Sequence, residues 1–348
     1  MITFYPGPSK IYPEVARYVS EGLSSGILSM NHRSPEFMDL MAQAIRQIRE
    51  KLGVPDSYQI VFTSSATECW EIIAQSLVKK SSGHLYNGAF GEKWMQYTRK
   101  LGVEVSGHPF AIEEEPVLGV YSEDTICITH NETSNGTGFP EDRIREVSEG
   151  NKGSVIAIDA TSSMAGVKLD FTLGDVWFAS VQKCFGLPAG LAVMIISPNA
   201  QDRVMQNEEN DHYNSLSFIL RNAEKYQTPY TPNILGIYLL KRTLEERAGI
   251  ESIHAVTQER FNKLESALGE LPLFEFLVRN ERVRSLTVLA ITSNKVPMDI
   301  LKREAHDRGI ILGNGYGPWK ESTFRIANFP AITEEEVDTL VNFLSSQN

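Results

Sequence analysis

A run of apolar residues leads into a lysine and a turn rich in glycine and proline near the middle of the chain: Asp175-Val176-Trp177-Phe178-Ala179-Ser180-Val181-Gln182-Lys183-Cys184-Phe185-Gly186-Leu187-Pro188-Ala189-Gly190. The run from Val176 to Val181 has no regular polar alternation, which is typical of a buried strand in a parallel sheet. Ligands bind beyond the carboxyl ends of such strands, so we expect Lys183 to face a ligand site. Burial among apolar neighbours lowers the pKa of a lysine and makes its amine available as a nucleophile.

Charge and composition limit the classes of function. The 348-residue chain has 33 Lys and Arg against 44 Asp and Glu, a formal net charge of -11. Nucleic acids and anionic membranes require a basic face, so we expect neither as a partner. The amino terminus lacks a basic region followed by an apolar stretch, and no apolar run is long enough to span a bilayer. These features predict a cytoplasmic protein.

The three cysteines favour a reducing compartment. Cys69, Cys127 and Cys184 cannot all pair, and they show no metal-ligand spacing. The sequence therefore predicts small buried thiols and no metal site.

Short apolar runs alternate with amphipathic stretches between residues 58 and 198, the pattern of an α/β protein with helices on both faces of a sheet. The predicted sheet is mostly parallel and has seven strands: Ile60–Thr63, His84–Asn87, Glu104–Pro109, Thr125–His130, Val155–Asp159, Val176–Val181 and Leu191–Ser197. Ahead of it, apolar residues at helical spacing from Phe37 to Leu52 predict a helix with one buried stripe.

The pattern changes after Gly249 and predicts a smaller α+β domain. The expected elements are a helix at Glu251–Leu271, a strand at Ser285–Thr292, a helix at Met298–Arg308, a strand at Phe324–Ala327 and a final helix capped by Thr333. We divide the chain into an N-terminal segment (residues 1–15) packed near the small domain, a large domain (16–249) and the small domain (250–348).

Asp159 ends a buried strand and is expected at the same edge of the sheet as Lys183. A buried carboxylate is costly without a positive partner, and a protonated pyridine nitrogen would provide one. An amine that can form a Schiff base beside such a carboxylate suggests pyridoxal 5'-phosphate (PLP). The alternatives are a solvated lysine at the strand end and an aspartate that caps the turn through Thr161 and Ser162.

Other residues fit parts of the same cofactor. Ser65, Ala66 and Thr67 open a helix directly after a strand, where free amides and the helix dipole can hold a phosphate. Phe90 lies between glycines and could stack on a pyridine ring, although Phe90 and Trp94 could equally be core residues. Thr133 could donate to the cofactor's phenolic oxygen or serve as a turn residue. The glycine-rich dinucleotide and nucleotide fingerprints are absent.

Taken together, these motifs resemble the class V (fold type I) PLP-dependent aminotransferases, and most of all the phosphoserine and alanine–glyoxylate branches. The resemblance covers nearly the whole chain. It is carried by the following motifs: Pro6-Gly7-Pro8, His32-Arg33-Ser34-Pro35-Glu36-Phe37, Ser65-Ala66-Thr67, Gly88-Ala89-Phe90-Gly91, Asn131-Glu132-Thr133, Asp159, Gln182-Lys183, Thr231-Pro232 and Phe324-Arg325-Ile326.

The resemblance implies roles for individual residues of the cofactor site. Lys183 matches the Schiff-base lysine, Asp159 the partner of the pyridinium nitrogen, and Phe90 the residue that stacks on the ring. Three residues match phosphate ligands: Ala66, Thr67 and Gln182. A Thr-Pro segment in the family reaches the neighbouring subunit's phosphate, which implies a homodimer with Tyr230 and Thr231 in that role.

The resemblance also implies the reaction. Arg325 matches the residue that binds the substrate α-carboxylate, and His32 with Arg33 matches a pair that faces the side-chain anion. The expected activity is ping-pong transamination between amino acids and 2-oxo acids, with phosphoserine and 2-oxoglutarate leading, as in serine biosynthesis. Alanine– or serine–glyoxylate transamination is the alternative. Readings from other classes are a PLP-dependent lyase or desulfurase and a non-catalytic PLP-binding protein.

One stretch departs from the family pattern. Phosphoserine aminotransferases usually add a His-Arg pair shortly before the carboxylate-binding arginine. The corresponding stretch here is Leu312-Gly313-Asn314-Gly315-Tyr316-Gly317-Pro318-Trp319-Lys320. It offers Lys320 and backbone amides instead.

Overall fold

A seven-stranded sheet forms the centre of the fold. The computed structural model describes residues 1–116, 119–293 and 295–347. Its strands are β1 (Ile2–Phe4), β2 (Gln59–Thr63), β3 (Ser81–Tyr86), β4 (Glu104–Pro109), β5 (Thr125–Thr129), β6 (Asn131–Glu132), β7 (Thr137–Gly138), β8 (Val155–Asp159), β9 (Val176–Ser180), β10 (Ala192–Ile196), β11 (Glu275–Phe276), β12 (Val288–Thr292), β13 (Ile310–Asn314) and β14 (Thr323–Ala327).

Helices connect the strands of this sheet and of the second sheet. They are α1 (Val15–Ser24), α2 (Pro35–Leu52), α3 (Ala66–Ser76), α4 (Ala89–Lys100), α5 (Glu141–Gly150), α6 (Pro198–Asn207), α7 (Leu216–Ala223), α8 (Ile234–Glu246), α9 (Ile250–Gly269), α10 (Met298–Asp307) and α11 (Glu334–Ser345). None of the helices in the described ranges is both long and apolar enough to cross a membrane.

The strand order of the large sheet is β2-β10-β9-β8-β5-β3-β4, and only β10 runs antiparallel to its neighbours. Every residue of β8 and β9 is buried, because helices cover both faces of the sheet. The predicted α/β class with a mostly parallel seven-stranded sheet is confirmed. The seven predicted strands all occur, with ends that differ by up to three residues.

A second sheet of five strands has the order β1-β13-β14-β12-β11. Its first strand, at the amino terminus, pairs in parallel with β13. The sequence analysis missed β1 and β11, which are only three and two residues long, and β13, which leads directly into a glycine-containing loop. The division of the chain at residues 15 and 249 stays a prediction.

Two helices, α3 and α4, begin directly beside the ends of strands. Ser65 accepts a hydrogen bond from the amide of Glu68 and begins α3 two residues after β2 ends. Helix α4 likewise begins shortly after β3, at Gly88. Both helices therefore direct their amino termini to the carboxyl edge of the parallel strands. Elsewhere, Thr333 caps α11 as predicted, in a capping box with Glu336.

Candidate active site

A cavity of about 740 Å³ opens at the carboxyl edge of the large sheet. Its walls come from the ends of the strands, from the first turns of α3 and α4, and from the loop after β13. The predicted site residues that line it are Ala66, Thr67, Phe90, Thr133, Asp159, Gln182, Lys183 and Arg325. The remaining predicted residues are not on its wall: His32, Arg33, Ser65, Tyr230 and Thr231.

Lys183 is buried at this edge, three residues beyond the end of β9. Its amine donates hydrogen bonds to the hydroxyls of Thr133, at 2.8 Å, and Ser162, at 3.0 Å. Burial lowers the pKa of Lys183 from 10.5 to about 8, although the nearby carboxylates of Asp159 and Glu132 oppose the shift. The amine is therefore held in place and is partly neutral near physiological pH. The solvated alternative for this lysine is excluded by its burial.

Asp159 lies at the end of β8 and is also buried. One carboxylate oxygen accepts from the indole nitrogen of Trp70 at 3.1 Å, and the other accepts from the amide of Thr161 at 2.9 Å. Burial raises the pKa of Asp159, while the hydrogen bonds from Thr161 and Trp70 and the charge of Lys183 oppose the shift. Asp159 thus caps its turn and also lines the cavity, so the two interpretations of the sequence are compatible.

The amino terminus of α3 forms one end of the cavity. The amide of Ala66 donates to the hydroxyl of Ser180 at 2.7 Å, whereas the amide of Thr67 has no acceptor among the described residues. The side-chain oxygen of Gln182 is also buried without a hydrogen-bond partner in the described part of the chain. Ser65 uses its hydroxyl to cap the helix. The amide of Thr67 at this end is therefore available to donate to an anionic ligand.

Glu132 is a buried carboxylate beside the site that the sequence analysis did not assign. One oxygen accepts from the amides of Phe90, at 3.0 Å, and Gly91, at 3.1 Å. The other accepts from the amide and the hydroxyl of Ser134, at 2.9 and 2.6 Å. Burial raises its pKa and these four hydrogen bonds oppose the shift. Glu132 ties the start of α4, and with it Phe90, to the segment that carries Thr133.

Arg325, on β14, is only 5% exposed. Its guanidinium donates to the backbone carbonyls of Asn314, at 2.6 Å, and Thr133, at 2.7 Å. No carboxylate lies within 4 Å of it in the described residues, so Arg325 does not form an ion pair there. Burial lowers its pKa. A guanidinium that is buried, held by neutral acceptors and open to a cavity is suited to bind a carboxylate.

Four of the five predicted residues outside the cavity wall, all except Ser65, lie close to each other. His32 and Thr231 approach within 3.5 Å through their side chains. The guanidinium of Arg33 donates to the side-chain oxygens of Asn222, at 3.2 Å, and Gln227, at 2.8 Å, both neutral acceptors. Tyr230 packs edge-on against Tyr213. We refer to His32, Arg33, Tyr230 and Thr231 as the outer patch.

Known proteins identify the family. A model described as "Aminotransferase class-V" matches residues 3–340. The chain belongs to the class-V aminotransferase family. Phosphoserine aminotransferase of Corynebacterium glutamicum (strain R) is 27% identical over 353 residues, which cover 96% of this chain and 91% of that protein.

Solved structures agree with this assignment. A crystal structure of a phosphoserine aminotransferase from Cytophaga hutchinsonii has a TM-score of 0.95 and 33% sequence identity, and covers 99% of this chain and 98% of that chain. Alanine–glyoxylate aminotransferase from Nostoc sp. has a TM-score of 0.82 over 99% of this chain and 94% of that chain, at 19% identity. The second likeness shows the fold alone. The predicted family and fold type are confirmed.

Class-V aminotransferases use pyridoxal 5'-phosphate, as predicted. The residues that line the cavity have the chemical groups that this cofactor requires. Lys183 would supply an amine for the aldehyde, and Asp159 would supply a carboxylate for the ring nitrogen. Thr67 has an uncommitted amide at a helix amino terminus for the phosphate. The Phe90 ring lies 5.2 Å from the Lys183 nitrogen and gives an apolar face beside it.

The sequence analysis missed several residues of this wall: Trp70, Ser180, Lys93 and Tyr316. It also missed Ser162, which accepts a hydrogen bond from the Lys183 amine. Helical spacing could have found two of them. Trp70 lies four residues after Ala66 in α3, and Lys93 lies three residues after Phe90 in α4, so each pair shares one helix face. Tyr316 carried no signal, because its position depends on how the loop after β13 folds back over the cavity.

Proposed function

We propose that this aminotransferase moves the amino group of phosphoserine to 2-oxoglutarate in a ping-pong reaction. The observation that carries the proposal is Arg325, a guanidinium with no carboxylate within 4 Å in the described residues, in the same cavity as the buried Lys183 and Asp159. The relatives named phosphoserine aminotransferase match this chain over nearly its whole length, which supports the choice of donor.

The residues of the chain divide the work of the reaction. Bound PLP supplies an aldehyde for the substrate amine and a ring that accepts electrons from the substrate α-carbon. Arg325 binds the α-carboxylate and fixes the substrate in the cavity. Lys183, held by Thr133 and Ser162, removes the proton from the α-carbon and serves as general base and then acid. Asp159 keeps the ring nitrogen protonated.

We also infer that the outer patch serves the active site of a second subunit. Three large aromatic residues on and beside α7 are exposed around it: Tyr213 at 68%, Phe218 at 40% and Tyr226 at 44%. An exposed apolar surface of this kind indicates a protein interface. Arg33 has no carboxylate within ion-pair distance in the described residues, which leaves its charge for an anion. Symmetric pairing would give each cavity an outer patch from its partner.

Subunit complementation tests this arrangement. Lys183→Ala and a double variant, Tyr230→Ala with Thr231→Ala, should each have little activity at limiting PLP. Mixing and reassociating them should restore about a quarter of the wild-type rate, because half of the dimers are hybrids with one intact site. No recovery in a mixture shown to contain hybrids would contradict a shared site.

The donor is tested by a half-reaction screen. The PLP form of the wild-type protein is mixed separately with phosphoserine, glutamate, serine, alanine and aspartate, and the loss of the aldehyde absorbance is followed. Phosphoserine and glutamate should react fastest. A protein that reacts with alanine or serine, and not with phosphoserine, would instead be a glyoxylate-type aminotransferase. No reaction with any amino acid would contradict transamination altogether.

A cytoplasmic location remains our proposal. It is supported by three buried thiols without a disulfide, Cys69, Cys127 and Cys184. Cell fractionation with antibody detection tests it, and recovery in an extracellular or envelope fraction would contradict it.

A further inference from the structure

Lys93 reaches into the cavity from α4 and is not part of any role assigned above. It lies one helical turn after Phe90, on the same helix face. Its ammonium donates a hydrogen bond to the hydroxyl of Tyr316 in the loop after β13. The nitrogen is 5.0 Å from the ring centre of Tyr316 and 5.5 Å from that of Phe90. The hydrogen bond to Tyr316 and the nearby Phe90 ring therefore hold this cation in one place.

The charge of Lys93 is not neutralised. No carboxylate lies within 4 Å of it in residues 1–116, 119–293 and 295–347. An ammonium has three donors, and Tyr316 uses one of them. The tyrosine hydroxyl accepts from Lys93 and so keeps its own proton to donate. Lys93 and Tyr316 together thus present several donors to the cavity.

The cavity as a whole favours ligands with more than one anionic group. Its wall includes four cationic side chains, Lys93, Lys183, Lys320 and Arg325, whereas Asp159 is its one carboxylate within the described residues. Lys183 and Asp159 are committed to the cofactor, and Lys320 is largely exposed, 3.8 Å from Glu321. Among the wall residues of this chain, Arg325 and Lys93 therefore remain to hold a substrate, beside the Arg33 that we propose a second subunit contributes.

Tyr316 connects these two cations. The guanidinium carbon of Arg325 is 5.4 Å from the ring centre of Tyr316, so Arg325 and Lys93 both lie against the same side chain. An amino acid whose α-carboxylate is bound by Arg325 can extend its side chain along Tyr316. A second anionic group on that side chain then meets the Lys93 ammonium.

We propose that Lys93 and Tyr316 form the subsite for the second anion of both substrates, with Lys320 at its rim. This inference rests on the proposed function. Its two occupants are the phosphate monoester of the amino donor and the distal carboxylate of glutamate or 2-oxoglutarate. A compact ammonium with rotatable donors accepts a tetrahedral phosphate or a planar carboxylate, whereas an arginine fork is fixed in geometry. Lys93 then binds the anion in place of the His-Arg pair that phosphoserine aminotransferases usually have shortly before the carboxylate-binding arginine.

Lys93→Gln is the test, with Lys152→Gln as a matched control. Lys152 is exposed, lies outside the cavity wall and loses the same charge. Half-reaction rates are measured with phosphoserine, glutamate and alanine. In Lys93→Gln, kcat/KM should fall about ten- to a hundredfold for phosphoserine and glutamate, the loss expected for a hydrogen bond to a charged group. Alanine, which has no second anion, should react as with the wild type.

A binding measurement separates recognition from chemistry. O-Phospho-α-methylserine cannot lose an α-proton, so its dissociation constant reports the steps that precede proton transfer and not the proton transfer itself. This dissociation constant should rise in Lys93→Gln by the factor by which kcat/KM for phosphoserine falls. Lys93→Arg, which keeps the charge, should recover part of the lost affinity.

The outcomes distinguish this inference from the proposed function. Equal rate losses for all three amino acids, or no loss for phosphoserine and glutamate, would overturn the subsite. A wild-type protein inactive with phosphoserine, whose reaction with glutamate still depends on Lys93, would overturn the proposed donor and support the subsite.

Discussion

The hydrogen bond between Trp70 and Asp159 is expected to maintain the charge that the cofactor ring requires. Trp70→Phe removes the indole nitrogen, which donates to the carboxylate at 3.1 Å, and leaves an aromatic ring against Trp94. After the change, the amide of Thr161 on the other oxygen is the remaining backbone donor. Asp159 is buried, so water does not replace the lost donor readily.

The size of the effect follows from the charge of the acceptor. A hydrogen bond to a charged group is worth about 1.5–3 kcal/mol. That energy corresponds to about one to two pKa units. The pKa of Asp159, already raised by burial, should rise further, and its ionised form should be less available to the ring nitrogen. We expect PLP affinity to fall about ten- to a hundredfold in Trp70→Phe.

The assay is equilibrium binding of PLP to the cofactor-free protein as a function of pH. The acid limb of the affinity profile should move to higher pH in Trp70→Phe, because the carboxyl group stays protonated over a wider range. Trp94→Phe is the control, since the Trp94 indole nitrogen is buried without a hydrogen-bond partner among the described residues. Equal losses of affinity in the two variants would refute a role for the hydrogen bond and indicate an effect of lost packing.

Two further predictions concern Lys183 and Glu132. The rate at which cofactor-free protein regains its bound-aldehyde absorbance should increase with pH, with an inflection near the lowered pKa of Lys183, about 8, because only the neutral amine reacts. An inflection near 10.5 would contradict the lowered pKa. Glu132→Gln should reduce the free energy of unfolding by about 3 kcal/mol, since an amide cannot accept all four hydrogen bonds of the buried carboxylate. Denaturant unfolding measures this loss, and the exposed Glu149→Gln should change it by less than about 0.5 kcal/mol.

The sequence predicted the large sheet because its strands are buried on both faces. Runs such as residues 155–158 are continuously apolar, and this signal does not depend on the rest of the fold. Lys183 and Asp159 were predictable for the same reason, since each follows or ends such a run. Parallel strands place their carboxyl ends at one edge of a sheet, and this rule predicts that the two residues lie close together.

Residues whose roles depend on long-range contacts were not predictable in this way. Trp70 reads as an ordinary core residue of α3, and its indole meets Asp159 only because helix and strand pack together. Tyr316 lies in a loop without periodic signal, and its contact with Lys93 spans 223 positions of sequence. Strand β13, which precedes that loop, pairs on one side with β1 at the other end of the sequence and on the other side with β14. Such pairing outweighs local sequence preference.

The short segment that contains Glu132 and Thr133 couples the cofactor side of the cavity to the substrate side. The Thr133 hydroxyl accepts from Lys183, and its backbone carbonyl accepts from Arg325. Glu132, one residue earlier, holds the amide of Phe90. One peptide segment therefore fixes the positions of the reactive amine, the arginine and an aromatic wall relative to each other. A shift of this segment would misplace all three groups at once, so its buried hydrogen bonds serve the geometry of catalysis as well as stability.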